Sequence, residues 1–317
     1  MARPPPLTSS QKVRLRRLEP RLRASVNRGD YDLAKRIVVD IQSVLRPTGH
    51  ETRLMQAKIW VFEAAMEAGR LEIAVQGLSG VRQKVARRTR LFLEATALLA
   101  ICYIRQRNLD AAAPLMQEVL TNDAFISSPL RRREFRGRVV QRFDEEGALS
   151  AMIGRFAESM DANEVHEQAV DLVRSAPEDE IFARVGDALP ADVVDFVKQV
   201  DDLARRLLPK GEVRYLPPPR HLLEKDVLGR TAVGAVRRVL WRALCDPDSD
   251  LHRMWFAKGM GVVFSKPYIA TAVTAALAGG GIGLKALAVS AAAFALKFGI
   301  EVFCVRFGPT PVMGFRQ

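Results

Sequence analysis

Three carboxylates at alternate positions, Asp246, Asp248 and Asp250, match the opening pattern of a calcium-binding loop. Such a loop also needs a glycine at its sixth position and a glutamate at its twelfth, where this chain has Leu251 and Ala257. The carboxylates therefore predict a turn, with Asp250 as the N-cap of the following helix.

The segment 279–283 (Gly-Gly-Gly-Ile-Gly) resembles half of a dinucleotide-binding motif. Leu284 replaces the last glycine of that motif, Lys285 does not directly follow a glycine in the pattern of a phosphate loop, and no strand is predicted around it. We therefore predict that the chain binds no cofactor.

Two other groups contain a histidine next to reactive side chains. Cys245 and His252 could act as nucleophile and base, but a proline-containing turn separates them. Glu164 and Glu167 flank His166, yet helical neighbours one or two positions apart point in different directions. These groups predict neither a catalytic site nor a metal site, and we interpret the chain as non-enzymatic.

Three cysteines, Cys102, Cys245 and Cys304, lie far apart and outside any C-x-x-C pair. They predict neither a disulfide framework nor a zinc site, and they indicate a reducing compartment. The N-terminus has no apolar signal segment, so we expect a cytoplasmic chain, with attachment to the inner face of the membrane as an alternative location.

The composition is that of a folded protein, with 48% hydrophobic and 26% charged residues, and it excludes a wholly disordered chain. Charge is uneven: residues 1–142 hold 27 basic and 13 acidic side chains, whereas residues 143–208 hold 6 and 16. The basic segments would attract phosphate-bearing partners. Alternatively, the acidic middle segment neutralises the first basic one.

Apolar residues recur at helical spacing from residue 10 onward, and no segment has sustained alternation rich in β-branched residues. The sequence therefore predicts an all-α fold: a helical-repeat solenoid followed by a C-terminal helical region with an apolar hairpin. The predicted segments are a flexible N-terminus (1–9), helical repeats (10–125), an acidic continuation of the solenoid (126–208), a Pro-rich linker (209–220) and a C-terminal domain (221–317) with the hairpin at 267–307.

One short pattern occurs three times in the first segment, at intervals of 40 and 38 residues. It consists of a turn residue, a large residue two positions on and an alanine three positions later. We expect the turn residue to end one helix and the alanine to let the next helix approach closely. The positions are Gly29, Tyr31 and Ala34; Gly69, Leu71 and Ala74; and Arg107, Leu109 and Ala112.

Residues 10–125 resemble the tetratricopeptide repeat family, most clearly in the third of these units. The matching positions are Leu99, Ala100, Tyr103, Leu109, Ala112, Met116, Val119 and Leu120. The spacing exceeds that family's period of about 34 residues, Arg107 stands where the family has glycine, and Pro47 is the one approximate match to its closing proline. The resemblance implies stacked helix pairs whose concave face binds a protein or peptide; a generic α-bundle is the alternative.

Two arginine-rich stretches are candidates for binding a polyanion. The first, Arg14, Arg17, Arg21 and Arg28, would share one helix face. The second includes Arg131, Arg132 and Arg136. Because aromatic residues are few, any nucleic-acid binding through these faces would be insensitive to sequence and sensitive to salt. Solvated faces without a ligand are the alternative.

The C-terminal segment is the most apolar. Tyr268–Leu284 is a run of 17 residues without a charge, about 25 Å long as a helix and near the lower limit for crossing a membrane. The glycines at 279–283, in the middle of the whole apolar stretch 267–307, predict a turn, and hence a hairpin of helices 267–278 and 284–307. The candidate turn residues are Gly279, Gly280, Gly281 and Gly283.

Two placements of this hairpin remain open. In a membrane, Lys297 and Glu301 could pair at i, i+4 while Lys285 reaches the interface. In a protein core, the hairpin would pack under a predicted helix at 221–245. We favour a non-enzymatic scaffold with a membrane-associating hairpin, binding a protein partner and in addition an anionic membrane; a helical-repeat protein that binds nucleic acid or another polyanion is the alternative.

Overall fold

The computed structural model describes residues 4–123, 126–154, 160–217, 225–258 and 267–309. These residues confirm the all-α class, since they form sixteen α-helices and no β-strand. The helices are α1 (Ser9–Arg28), α2 (Tyr31–Leu45), α3 (Glu51–Glu67), α4 (Leu71–Lys84), α5 (Arg90–Arg105), α6 (Leu109–Thr121), α7 (Pro129–Met152), α8 (Ala162–Ser175), α9 (Glu178–Ala188), α10 (Ala191–Leu207), α11 (Lys225–Ala235), α12 (Arg237–Leu244), α13 (Asp250–Lys258), α14 (Tyr268–Gly279), α15 (Lys285–Phe298) and α16 (Ile300–Arg306).

The chain divides into two compact units. The first contains the chain up to Val139, and the second contains Val140–Arg206 and Gly211–Pro311. The sequence predicted a continuous solenoid to residue 208 and a boundary in the linker. Helices α8, α9 and α10 instead share one hydrophobic core with the C-terminal helices, because their apolar faces pack in the same cluster as those of α14 and α15.

In the first unit, α1 to α6 form three successive helix pairs. Each helix packs against the next, and α3 also contacts both α1 and α5, so these three helices line one side. The chain enters α1 through a capping box, in which Thr8 and Gln11 satisfy each other's backbone N–H groups. Helix α2 buries Ala34, Ile37 and Ile41 at helical spacing, so one stripe of it faces the core.

The turns within these pairs share one backbone geometry. Gly29, Gly69 and Arg107 have φ angles of 66°, 75° and 56°, and each donates its N–H to the carbonyl three residues earlier. The alanines five residues later are all fully buried: Ala34, Ala74 and Ala112. Although a left-handed backbone favours glycine, Arg107 forms the same turn as the two glycines.

Helices α9 and α11 of the second unit cross in backbone contact. A Cβ atom at Gly186 would lie 1.9 Å from the carbonyl oxygen of Lys225, and one at Gly229 would lie 1.9 Å from that of Phe182. The guanidinium of Arg230 lies 4.2 Å from the centre of the Phe182 ring beside this crossing. Two glycines therefore set the distance between these helices.

The apolar hairpin lies inside the second unit. Residues 287–295 of α15 are all buried, and α15 packs against α8, α9 and α14. Among the described residues, no single helix has the length and hydropathy of a membrane span; α15 and α16 together meet those criteria, across a bend of 114°.

The prediction of one continuous helix over 284–307 is wrong, because the helix is interrupted at one position. Gly299, with φ of 76°, separates α15 from α16, so Lys297 and Glu301 lie on different helices. Lys297 Nζ donates to the Ala176 carbonyl oxygen at 2.8 Å, at the C-terminus of α8, and Glu301 is exposed. The predicted helix 221–245 is likewise two helices, α11 and α12, which meet at Val236.

The expectation that the cysteines form no disulfide is also wrong. Cys245, at the end of α12, and Cys304, in α16, are bonded across 59 positions of sequence. Their separation concealed the pairing, which depends on the packing of α12 against α16. Cys102, in α5, is buried and is not part of this disulfide.

Candidate functional site

A row of polar residues follows the side of the first unit where α1, α3 and α5 meet. Successive members within a helix are mostly three or four positions apart, so they share a face. We call this set the polar row: Glu19 and Arg23 of α1; Arg53, Gln56, Trp60, Glu63 and Glu67 of α3; and Arg90, Glu94 and Arg105 of α5.

The α1 end of the polar row is accessible. Arg53 donates two hydrogen bonds to Glu19, Nε to Oε1 at 2.6 Å and Nη2 to Oε2 at 2.8 Å. These bonds raise the pKa of Arg53. The exposed guanidinium of Arg23 lies 4.5 Å from the centre of the half-buried Trp60 ring. The stacked pair of Arg23 and Trp60 therefore lies beside the ion pair of Arg53 with Glu19.

The α5 end of the polar row is buried. Arg105 donates to the Met66 carbonyl oxygen at 2.9 Å and to Glu67 Oε1 at 2.8 Å, and so fixes α5 to α3. Every residue of 91–102 is buried. Polar members of the row at this end therefore lie in the core and need partners there.

Glu94 is the most perturbed of these side chains. It is 4% exposed; Gln56 Nε2 donates to its Oε1 at 3.2 Å, and its Oε2 has no hydrogen bond within the described residues. Burial, and then the nearby carboxylate of Glu63, raise the pKa of Glu94 to about 7, although Arg90 and the Gln56 hydrogen bond oppose the rise.

Because the pKa of Glu94 is higher in the folded chain than the ordinary value of 4.5, the folded state holds more protons between these pH values. Stability should therefore fall as pH rises from about 4.5 to 7. The full loss is on the order of 3 kcal/mol. We expect Glu94→Gln to remove this loss and to raise the denaturation midpoint at pH 8 far more than at pH 5.

Urea titrations of the wild type and the variant at both pH values measure this difference. Glu72→Gln is the control, because Glu72 is an exposed glutamate in the first turn of α4. Equal effects of Glu94→Gln at pH 5 and pH 8 would contradict the assignment.

Comparison of the chain with family models, curated proteins and solved structures finds no match. Of the predicted repeat positions, Gly29, Gly69 and Arg107 form the turns and the three alanines are fully buried. The large residues Tyr31, Leu71, Leu109 and Tyr103 are partly buried. None of these positions belongs to the polar row.

The predicted polyanion-binding arginines have different surroundings. Arg14, Arg17 and Arg21 are exposed on α1, with Arg14 Nη2 at 3.4 Å from Asp40 Oδ1, and Arg28 is partly buried. Arg131 is exposed and Arg132 partly buried in α7. Arg136 instead forms an ion pair with the buried Asp123, Nε to Oδ2 at 2.8 Å, so it has a structural role.

The predicted hairpin residues have protein partners. Lys285 forms an ion pair with Glu164 of α8, and the Gly281 carbonyl accepts from the Gly154 N–H at 2.8 Å. Gly283 is buried, Gly280 is partly buried, and a Cβ at Gly279 would meet no atom within 4 Å.

The rejected metal motif forms a turn. Asp246 Oδ1 accepts the Asp248 N–H at 3.0 Å. The predicted N-cap at Asp250 is wrong by one residue: the Ser249 hydroxyl accepts the His252 N–H at 3.1 Å. Within the described ranges, no three His, Cys, Asp or Glu residues are grouped in a way that could hold a metal ion.

The polar row was not predicted from the sequence. One signal was available: Glu63 and Glu94 each interrupt a strongly apolar stretch, 59–66 and 91–102, and a carboxylate among core residues indicates a special environment. Which residues they meet depends on the alignment of three helices.

Proposed function

We propose that the chain is a non-enzymatic adaptor that binds a protein segment on the accessible α1 and α3 end of the polar row. The stacking of Arg23 on Trp60 carries this proposal. Tryptophan and arginine dominate the energetics of protein interfaces, and a partly buried ring that is already positioned loses little conformational entropy on binding.

The arrangement of the first unit supports this role. Three helix pairs align α1, α3 and α5 along one side, which is how the tetratricopeptide-like stack suggested by the sequence would present a binding face. The ion pair of Arg53 with Glu19 fixes the neighbouring side chains. These features favour a preformed surface for an extended or helical segment.

The proposal assigns the second unit a structural role and does not include the membrane attachment expected from the sequence. The apolar surface of α15 is occupied by α8, α9 and α14. Lys285 forms an ion pair with Glu164, and Lys297 donates to the Ala176 carbonyl at the C-terminus of α8. Protein contacts therefore account for the residues that suggested a lipid environment.

Selection of a random peptide library on the full-length protein tests the proposal, because such a library samples many candidate segments at once. We expect enriched peptides to bind the Arg23→Ala, Trp60→Ala double variant about 30-fold more weakly, as removal of a hot spot would require. The control is Arg36→Ala, because Arg36 is exposed on α2, outside the polar row.

Circular dichroism should give the same helical signal for all three proteins. Failure to enrich any peptide would contradict the proposal. Equal binding of the enriched peptides to wild type and double variant would contradict it as well.

A further inference from the structure

Helix α1 carries two rows of exposed cations. Lys12 and Arg16 form the first row, and Arg14, Arg17 and Arg21 form the second. The exposed Arg23, two turns beyond Arg16 in line with the first row, is stacked on Trp60 and is not counted in it. At 3.6 residues per turn, the centres of the two rows are separated by about 150° around the helix axis. The two rows therefore lie on opposite flanks of the exposed half of α1.

Between Ser9 and Asn27, at the two ends of the helix, the surface between the rows is apolar, and the opposite surface faces the core. Val13, which is 66% exposed, and the exposed Pro20 lie between the rows. Leu15, Leu18 and Leu22 are buried against the first unit, where α1 packs on α2 and α3. At Val13 and Pro20, the outermost line of α1 therefore offers no side-chain group that can form a hydrogen bond.

Most of these cations are not neutralised. Arg14 approaches Asp40 at 3.4 Å, but both side chains are about half exposed, so the pair is weak. The carboxylate of Glu19 is held by Arg53. Within the described residues, the other four cations of the two rows form no ion pair. The outer half of α1 therefore has a dense positive charge on both flanks.

We infer that α1 binds in the major groove of double-stranded DNA, with one row of cations on each phosphate strand. A helix with its side chains is about 10–12 Å wide, and the major groove of B-form DNA is about 12 Å wide. Duplex RNA is disfavoured, because its major groove is deep and narrow. Two flanking rows match two lines of phosphates, whereas an acidic peptide offers one line of charge.

This mode of binding is insensitive to sequence. Phosphate contacts position a protein on the duplex, and base edges are read by hydrogen bonds and methyl contacts that Val13 and Pro20 supply poorly. The inference is independent of the proposed adaptor function, because it does not require Trp60. An adaptor of this kind would hold its protein partner beside DNA.

Fluorescence anisotropy with a labelled 20-base-pair DNA duplex and the full-length protein tests the inference. Five phosphate contacts predict that log K falls with log salt concentration with a slope of about −4 to −5. We expect Lys12→Glu with Arg16→Glu, and separately Arg17→Glu with Arg21→Glu, each to weaken binding at least tenfold and to reduce the slope by about 2.

The control is Arg87→Glu with Arg88→Glu, which makes the same change in net charge at two exposed positions between α4 and α5. We expect this control to change affinity by less than threefold. An equal loss in all three variants would overturn the inference, because net charge alone would then explain binding. Equal affinity for duplex RNA would overturn the groove assignment, and so would full competition by polyglutamate at matched charge.

Discussion

Replacement of Gly229 with alanine is expected to destabilise the second unit by about 3 kcal/mol. The new methyl group would lie 1.9 Å from the backbone carbonyl of Phe182, and no side-chain rotation can relieve a contact with backbone. Helices α9 and α11 would have to separate and lose the packing between them. Gly186→Ala meets the carbonyl of Lys225 in the same way and should have a similar effect.

Gly279→Ala is the matched control for these substitutions. A Cβ at Gly279 would meet no atom within 4 Å, so we expect a change within about 0.5 kcal/mol. Chemical denaturation followed by circular dichroism measures all three variants. A Gly229→Ala protein as stable as the Gly279→Ala protein would show that α9 and α11 do not cross in backbone contact.

Removal of the Cys245–Cys304 disulfide should cost about 4 kcal/mol. The bond closes a loop of 59 positions. Closing a loop of that size lowers the conformational entropy of the unfolded chain, which stabilises the folded state by roughly this free energy. We expect the Cys245→Ser, Cys304→Ser double variant to unfold at a lower denaturant concentration than the wild type.

Reductant distinguishes this effect from local damage by the substitutions. Dithiothreitol should lower the wild-type midpoint to that of the double variant and leave the double variant unchanged. A wild-type midpoint that does not respond to dithiothreitol would contradict a stabilising disulfide. Structural disulfides are typical of oxidising compartments, in contrast to the reducing compartment indicated by the cysteine spacing.

Helical periodicity predicted the class of the fold and much of its first unit. The pattern that begins at Gly29, Gly69 and Arg107 located three turns, because a turn residue and a small residue at a fixed distance constrain the chain locally. The hairpin prediction located the first arm, α14, within one residue at each end. It missed the break at Gly299, since a lone glycine within an apolar stretch is also tolerated inside a helix.

The candidate sites depend on contacts that no local pattern specifies. Arg23 and Trp60 are 37 positions apart, and their stacking requires the packing of α1 on α3. The unusual state of Glu94 requires Glu63 from a neighbouring helix. The cations of α1 were the exception: their spacing along a single helix was sufficient to predict that Arg14, Arg17 and Arg21 share an exposed face, although Arg28, predicted with them, is partly buried.

The burial of α15 has a consequence for how the chain matures during synthesis. Helices α8 and α9 emerge from the ribosome about 100 residues before α15, the helix that covers them. Lys297 of α15, for example, contacts Ala176, which precedes it by 121 positions. The first unit can fold early. Until α15 is synthesised, α8 and α9 expose apolar faces that can aggregate. A polypeptide that stops at residue 208 would never acquire that cover.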